Sequence, residues 1–429
     1  MLLLPSPISY LMHFKTLATC MLTAFVAAIP PIANAACETD TTQAQHSKLS
    51  FSLSGGTAHL LRDTEENSAR IDGRLGAHYG INATWSSPHN PSHLSDRAFG
   101  YPSIDFGLTV TDFSATRFFR PNRPRTYRSR LGREYTLYGA FRRDIVRTAR
   151  QSFGYTLENG LGIASAPYER QHNADNLLVG NRFSFYLGGS LYYMHRLTPH
   201  ISVGAELAIR HYSNGVLDRP NTGENSIVPG VRLTRSPEAV PETRRDTAAM
   251  PRFKRKIYAE AAVGWEGHTI LDEWLYNYWT LQPGDKNYES GHYKLYSSPT
   301  LMLAGMWRWE RRYATGIALD YQYSTFSDAT RRAEESRGIY GYRHSAHTLG
   351  LSLRHEVFWR DVSAQMSIGG YVFRRAGYQA EENETPFFET LGLRYYPPFA
   401  RGKLFVGYNV KVHLFKVEGI QLGAGFRFL

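Results

Sequence analysis

Apolar and polar residues alternate with a period of two along most of the chain from residue 48 onward. Each alternating stretch runs for about 10 to 16 residues and ends at a polar break, as strands with one apolar and one polar face do. Stretches with the period of an amphipathic helix reach at most about 12 residues. The pattern therefore predicts an all-β protein of about sixteen strands, within a range of about 12–16. The strands are expected to begin near residues 48, 75, 101, 134, 152, 182, 200, 225, 255, 294, 311, 345, 362, 386, 402 and 418.

The last two stretches show the alternation most clearly. Every even-numbered residue from 404 to 414 is apolar, and the final stretch alternates up to Phe426 and Phe428. A chain that closes on an alternating, aromatic-rich strand is typical of outer-membrane β-barrels. Leu429 follows the last aromatic residue, which is a small departure from that pattern.

The lengths of the connections also alternate. The long ones are 62–74, 115–133, 167–181, 215–224, 268–293, 326–344 and 376–385, and short turns separate them. Outer-membrane barrels have long external loops and short periplasmic turns. The sequence therefore predicts a transmembrane antiparallel β-barrel, although the stretches near 88–100 and 237–253 are long for periplasmic turns.

Composition narrows the class of protein. The chain has 429 residues, of which 42% are hydrophobic, 14% aromatic and 20% charged, and its mean hydropathy is −0.39. The aromatic content excludes a disordered chain. A helical membrane protein is excluded as well, because it would need several apolar runs of roughly 20 residues and the chain has none after residue 36. Two cysteines are too few for a disulfide scaffold. A soluble all-β protein fits these numbers. A membrane barrel fits them too, because its strands alternate apolar and polar residues and their mean hydropathy is therefore low.

The N-terminus favours export. Lys15 precedes the apolar run 17–29, and Ala33-Asn34-Ala35 forms a small-x-small cleavage site. We expect a signal peptide over 1–35, a periplasmic segment over 36–47 and a single barrel over 48–429 in the bacterial outer membrane. Whether Cys37 is lipidated stays open, as does whether the barrel forms a homodimer.

The seventh predicted strand carries the candidate chemistry. Its odd positions from Ile201 to Ile209 are apolar, whereas Glu206 and Arg210 occupy even positions and would be costly in lipid. His211 and Ser213 therefore continue the lipid face at the end predicted to be external. A histidine two residues from a serine suits nucleophilic catalysis on an ester of an embedded lipid. Alternatively, the two residues are interfacial polar side chains without a catalytic role.

The sequence around this pair strongly resembles the active-site signature of PagL-type lipid A 3-O-deacylases, also called acyloxyacyl hydrolases. The matching run is HYSNGVLDRPNTGEN, from His211 to Asn225, and the resemblance extends over roughly residues 76–235. It implies a serine esterase that removes the 3-O-linked acyl chain of lipid A, with Ser213 as nucleophile and His211 as general base. It implies no cofactor and no metal, and the partners are lipopolysaccharide and the membrane rather than nucleic acid.

The sequence offers two candidates for the third catalytic member. The family pattern has a glutamate fourteen residues after the histidine, and Asn225 occupies that position, one residue after Glu224. Asparagine can orient a histidine, but it stabilises the imidazolium less well than a carboxylate. Asn225 lies in the apolar, lipid-side set of the next strand, so it is the preferred candidate, with Glu224 as the alternative.

Two further groups of residues are candidates. The turn residues are expected either to hold the oxyanion through N–H groups or to shape the turn alone; they are Asn214, Gly215, Asn221 and Gly223. Within the loop 115–133, arginines suit the phosphates of lipid A, or form a solvated loop without specificity; the candidates are Arg120, Arg123, Arg125 and Arg128.

The alternative to an enzyme is a non-enzymatic porin or lipid-transport channel, because a ring of sixteen strands normally encloses a water-filled lumen. If His211 and Ser213 point outward, the enzyme is favoured; if they point inward, the channel is favoured. Acyl-chain specificity and the role of the C-terminal half cannot be predicted from the sequence.

Overall fold

The computed structural model describes residues 48–61, 70–87, 89–119, 128–237, 249–270, 284–285, 294–380, 382, 385–413 and 416–428. The predicted signal peptide and the segment 36–47 lie outside these residues. The chain divides into two compact units. The first comprises Met1–Ser213 with Thr222–Ala249, and the second comprises Asn214–Asn221 with Met250–Leu429.

The first unit is an antiparallel β-barrel. Its ladder runs β4-β3-β1-β9-β8-β7-β6-β5, and pairing of β4 with β5 closes it into eight strands, while the short β2 pairs with the end of β4. The strands are β1 (Lys48–Leu60), β2 (Arg70–Asp72), β3 (Leu75–Ser86), β4 (Ser103–Phe119), β5 (Ser129–Arg147), β6 (Gln151–Ala164), β7 (Phe183–Arg196), β8 (Ile201–Ser213) and β9 (Glu224–Arg235).

The second unit is also a closed eight-strand barrel, in which β10 to β17 pair in chain order and β10 pairs with β17. Its strands are β10 (Lys256–Thr269), β11 (Leu295–Arg308), β12 (Tyr313–Tyr323), β13 (His347–Trp359), β14 (Val362–Phe373), β15 (Phe387–Tyr395), β16 (Leu404–His413) and β17 (Lys416–Phe428).

The helices are short: α1 (Leu94–Ala98) follows β3, α2 (Ser327–Glu335) follows β12, and a 3-10 turn spans Pro398–Ala400. Among the residues that the structure describes, no helix is long and apolar enough to cross a membrane.

The prediction of about sixteen barrel strands is confirmed, but the prediction of one barrel over 48–429 is wrong. The ladder closes early because β9 returns to β1, with Phe51 opposite Arg235 and Leu60 opposite Ser226. Alternation predicts which side of a strand is apolar, but it does not predict which strand lies beside it. Of the two unusually long connections, 88–100 contains α1 and 237–253 joins the two barrels.

The two barrels are apolar outside and polar inside. Outward side chains such as Leu53, Leu161 and Ile317 are about 60% exposed, as a lipid-facing belt requires. The interiors hold buried ion pairs. In the first barrel Arg232 contacts Glu206 at 2.8 Å and Asp105 at 3.2 Å; in the second, Arg427 contacts Glu356 at 3.1 Å and Arg394 contacts Glu260 at 2.8 Å.

The size of each ring bears on the channel alternative. An eight-strand barrel is just wide enough for side chains to fill it, whereas a ring of sixteen leaves an aqueous lumen. The channel alternative depends on the water-filled lumen of one large ring. Two barrels of eight strands do not provide such a lumen.

Candidate active site

Strand β8 presents His211 and Ser213 on the outside of the first barrel. Along this strand Ile201, Val203 and Leu207 are exposed on one face, while Arg210 and Tyr212 are buried on the other. His211 and Ser213 lie on the same face as the exposed set, because residues two apart on a strand share a face, although His211 is half-buried and Ser213 is buried. Their Cα atoms are therefore about 6.6 Å apart. This is the outward orientation that favours an enzyme over a channel.

The pairing of β8 with β9 supplies a partner for the histidine. His211 lies directly opposite Asn225, and His211 Nδ1 is 2.8 Å from Asn225 Oδ1. Since a carbonyl oxygen only accepts, Nδ1 is the donor in this bond. The other ring nitrogen, Nε2, is then the basic one and is the nitrogen that can take a proton from a serine hydroxyl. Ser213 itself is 8% exposed and lies opposite the outward-facing Phe185 of β7.

Glu224 points into the barrel, away from His211. It is fully buried, and it lies opposite the inward-facing Tyr212. Neither of its carboxylate oxygens has a hydrogen-bond partner within the described ranges. The geometry thus separates the two candidates for the third member, because only Asn225 contacts the histidine.

Gly223 packs against the histidine ring. Its φ is +84°, a left-handed conformation that favours glycine, and a Cβ at this position would lie 2.9 Å from His211 Cε1. Its N–H donates to Leu178 O at 3.0 Å, which holds the turn against the loop between β6 and β7. The sequence marks Gly223 as a turn residue, but it gives no sign of this close approach.

Asn214 bonds to two other residues of its turn. The N–H of Asn214 donates to Asn221 Oδ1 at 3.1 Å, and Asn214 Nδ2 donates to Asp218 O at 3.2 Å. Gly215 has a φ of +64°. These contacts account for a role in shaping the turn, and a role in holding an oxyanion stays a prediction.

Of the four arginine candidates, Arg128 lies within the described residues. Arg120, Arg123 and Arg125 lie outside the described residues, whereas Arg128 is exposed just before β5. Arg128 lines a pocket of about 510 Å³ at the long-loop end of the first barrel, together with Arg117, Arg130 and Arg182. Sequence analysis missed Arg182, because it lies on a different connection, just before β7. No cluster of three or more potential metal ligands occurs in the part of the chain that the structure covers.

The fold places the chain in the class of outer-membrane β-barrel proteins, and the comparisons identify the family. A family model described as lipid A 3-O-deacylase (PagL) matches residues 64–234, and a model described as acyloxyacyl hydrolase, C-terminal domain, matches residues 273–429. Together the two models span well over half of the chain. The chain belongs to the PagL family of outer-membrane lipid A 3-O-deacylases and also carries the C-terminal domain of acyloxyacyl hydrolases.

Similar solved structures are more distant. A crystal structure of the outer membrane enzyme PagL is 15% identical, with a TM-score of 0.25, and the match covers 43% of this chain and 97% of that one. A mutant Rh. blastica porin is 8% identical, with a TM-score of 0.16, and the match covers 89% and 100%. The Pseudomonas putida toluene transporter TodX is 8% identical, with a TM-score of 0.16, covering 89% and 87%. No curated protein matches the sequence.

Proposed function

We propose that the first barrel is a serine esterase that hydrolyses the 3-O-linked acyl chain of lipid A. Ser213 is the nucleophile, His211 the general base and Asn225 the residue that orients the histidine. The observation that carries the proposal is the 2.8 Å contact between His211 Nδ1 and Asn225 Oδ1 on the lipid-facing side of β8, two residues from Ser213.

The reaction follows from the roles of these atoms. Ser213 Oγ attacks the ester carbonyl carbon while His211 Nε2 takes its proton. The carbon–oxygen bond to the sugar then breaks, and the imidazolium returns the proton to the departing hydroxyl. Water attacks the acyl-enzyme with the same histidine as base, releasing a fatty acid and restoring Ser213.

The position of the pair suits this substrate. Phe185 and Leu187 lie opposite Ser213 and His211 on β7, and Phe185 is 39% exposed on the outer surface. Acyl chains in the bilayer can therefore lie along the barrel wall beside the ester. A site in the polar interior would not be reached by an embedded lipid.

The test is to express the full chain in a Gram-negative host and weigh the extracted lipid A. We expect wild type to release one acyl chain, and Ser213→Ala to release none. Ser202→Ala, on the same strand at its opposite end, is the matched control and should behave as wild type.

Two results would contradict the proposal. If wild type leaves lipid A unchanged although the barrel is folded in the membrane, the activity is wrong. If Ser213→Ala still releases a chain, the assignment of the nucleophile is wrong even though the activity stands.

A further inference from the structure

The pocket at the long-loop end of the first barrel is strongly basic. Its charged wall combines Arg117 near the end of β4, Arg128 and Arg130 at the start of β5, and Arg182 just before β7. We call these four residues and the space between them the arginine pocket. Its volume of about 510 Å³ is within the range of small-molecule sites and is larger than a single phosphate needs.

Among the residues that the structure describes, no carboxylate pairs with the guanidinium groups of the arginine pocket. The side chain of Arg117 donates to the backbone carbonyl of Thr116 at 3.1 Å rather than to a carboxylate. The pocket's acidic residue, Glu169, accepts the backbone N–H groups of Gln171 at 3.1 Å and His172 at 2.7 Å. Four guanidinium groups thus face one space that contains a single, already bonded carboxylate.

The wall of the pocket is built in advance. Asn173, which is 7% exposed, accepts the Arg130 N–H at 2.8 Å and donates to Arg130 O at 3.1 Å and Ala166 O at 2.9 Å. Asn176, which is fully buried, donates to Ala166 O at 2.9 Å. These buried amides fix the loop between β6 and β7 to the start of β5, so the arginine pocket does not have to form when a ligand arrives.

The same loop also supports the catalytic strands. Leu177 O accepts from the N–H of Thr222 at 3.1 Å, and Leu178 O accepts from the N–H of Gly223 at 3.0 Å. Gly223 in turn lies against the ring of His211. The first half of this loop and its last residue, Arg182, therefore line the arginine pocket, while Leu177 and Leu178 between them hold the turn beside His211.

We propose that the arginine pocket binds the anionic headgroup of the lipid substrate, a phosphorylated sugar, and thereby sets which ester is placed beside Ser213. This inference rests on the proposed esterase function. Guanidinium forks match the geometry of phosphate oxygens, and the acyl chains of a headgroup held at this end extend from the loops along the outer face of β8.

The experiment uses the purified full chain in detergent micelles with two substrates, bisphosphorylated lipid A and the same lipid A without phosphates. The pocket variants are Arg130→Gln, Arg182→Gln and the double variant that carries both. Each is compared with Arg170→Gln. Arg170 is exposed on the same loop but does not line the pocket, so it is the matched control.

We expect each pocket variant to raise the KM for bisphosphorylated lipid A by about ten-fold, and the double variant by more, because a charge-assisted hydrogen bond contributes about that factor. The kcat should change little, the phosphate-free lipid should be cleaved as by wild type, and Arg170→Gln should match wild type. A third substrate is lipid A that keeps its phosphates and carries an added acidic sugar. If the pocket variants raise the KM for this lipid even more than for bisphosphorylated lipid A, a sugar carboxylate also binds in the arginine pocket.

The outcomes separate the two proposals. If wild type cleaves neither lipid, the esterase function fails. If wild type cleaves both but the double variant keeps its KM for the phosphorylated lipid, the headgroup site is wrong. An equal loss on both lipids also overturns it, because that pattern is a structural defect of the loop rather than lost recognition of an anion.

Discussion

The two barrels have the same architecture but different outer surfaces. Each closes eight antiparallel strands around buried arginine–carboxylate pairs. Each also carries a serine and a histidine two residues apart at the end of a strand, His211 and Ser213 in the first and Ser345 and His347 in the second. Of these two pairs, only His211 and Ser213 combine an amide oxygen on the histidine ring with a serine on the outer face of the strand.

The second pair shows what residue types and spacing leave undetermined. Ser345 Oγ accepts the backbone N–H of His347 at 3.2 Å, and the His347 ring is 2.8 Å from the hydroxyl of Tyr321. The hydroxyl of Ser345 therefore accepts a backbone hydrogen bond that stabilises the turn before β13. The difference teaches that chemistry on a shared fold depends on the partners of a few side chains, since the fold alone does not determine it.

The largest difference between the barrels is expected when the histidine of each pair is replaced. We expect His211→Asn to lower the rate of acyl release by about 10²–10⁴-fold, because the general base is lost, and His347→Asn to leave it unchanged. Single-turnover release of fatty acid from lipid A measures both variants. Equal losses in the two variants would erase the contrast between the barrels.

The buried ion pairs should make the barrels alike again. Arg232→Ala in the first barrel leaves Glu206 without its arginine and removes one of the two arginine partners of Asp105. Arg427→Ala in the second removes the closer of the two arginine partners of Glu356. Each should lower the free energy of unfolding, by up to about 3–5 kcal/mol, because a buried carboxylate loses its closest cationic partner. Urea titrations in lipid vesicles provide the measurement. A loss below about 1 kcal/mol in one barrel would mean that its carboxylates are solvated.

A pair of glycines sharpens the comparison further. Gly223 and Gly402 both have left-handed backbones, with φ of +84° and +74°, but only a Cβ at Gly223 meets His211. Alanine at either position should cost about 1 kcal/mol of stability. Only Gly223→Ala should also lower activity, by about ten-fold, because it displaces the histidine. If Gly402→Ala reduces activity by the same factor, the loss is not local to the site.

The smallest effect is expected at Asn225. Asn225→Asp places a charge on the same acceptor position, and a charge-assisted bond is stronger than a neutral one. The kcat should rise by about five-fold. A fall of more than about ten-fold would instead indicate that the amide nitrogen of Asn225 is required.

Most of the strands and the outward face of β8 were predictable, because both follow from local alternation. Closure was not, since the contact of β1 with β9 joins residues far apart in the chain, such as Leu53 and Leu233. The choice between Asn225 and Glu224 depended on register, because one residue along a strand reverses the face. The approach of Gly223 to His211 and the meeting of Arg130 with Arg182 arise from loop packing, which has no periodic signal.

The amide of Asn225 has a consequence for where such a site can lie. A carboxylate on the outer wall of a barrel would carry a full negative charge beside hydrocarbon, which is costly unless it is fully paired. With an asparagine, the resting site has no net charge, so the barrel wall around it stays as apolar as its neighbours. In the proposed mechanism, the positive charge that develops on His211 is therefore stabilised by the amide dipole of Asn225 rather than by a second charge.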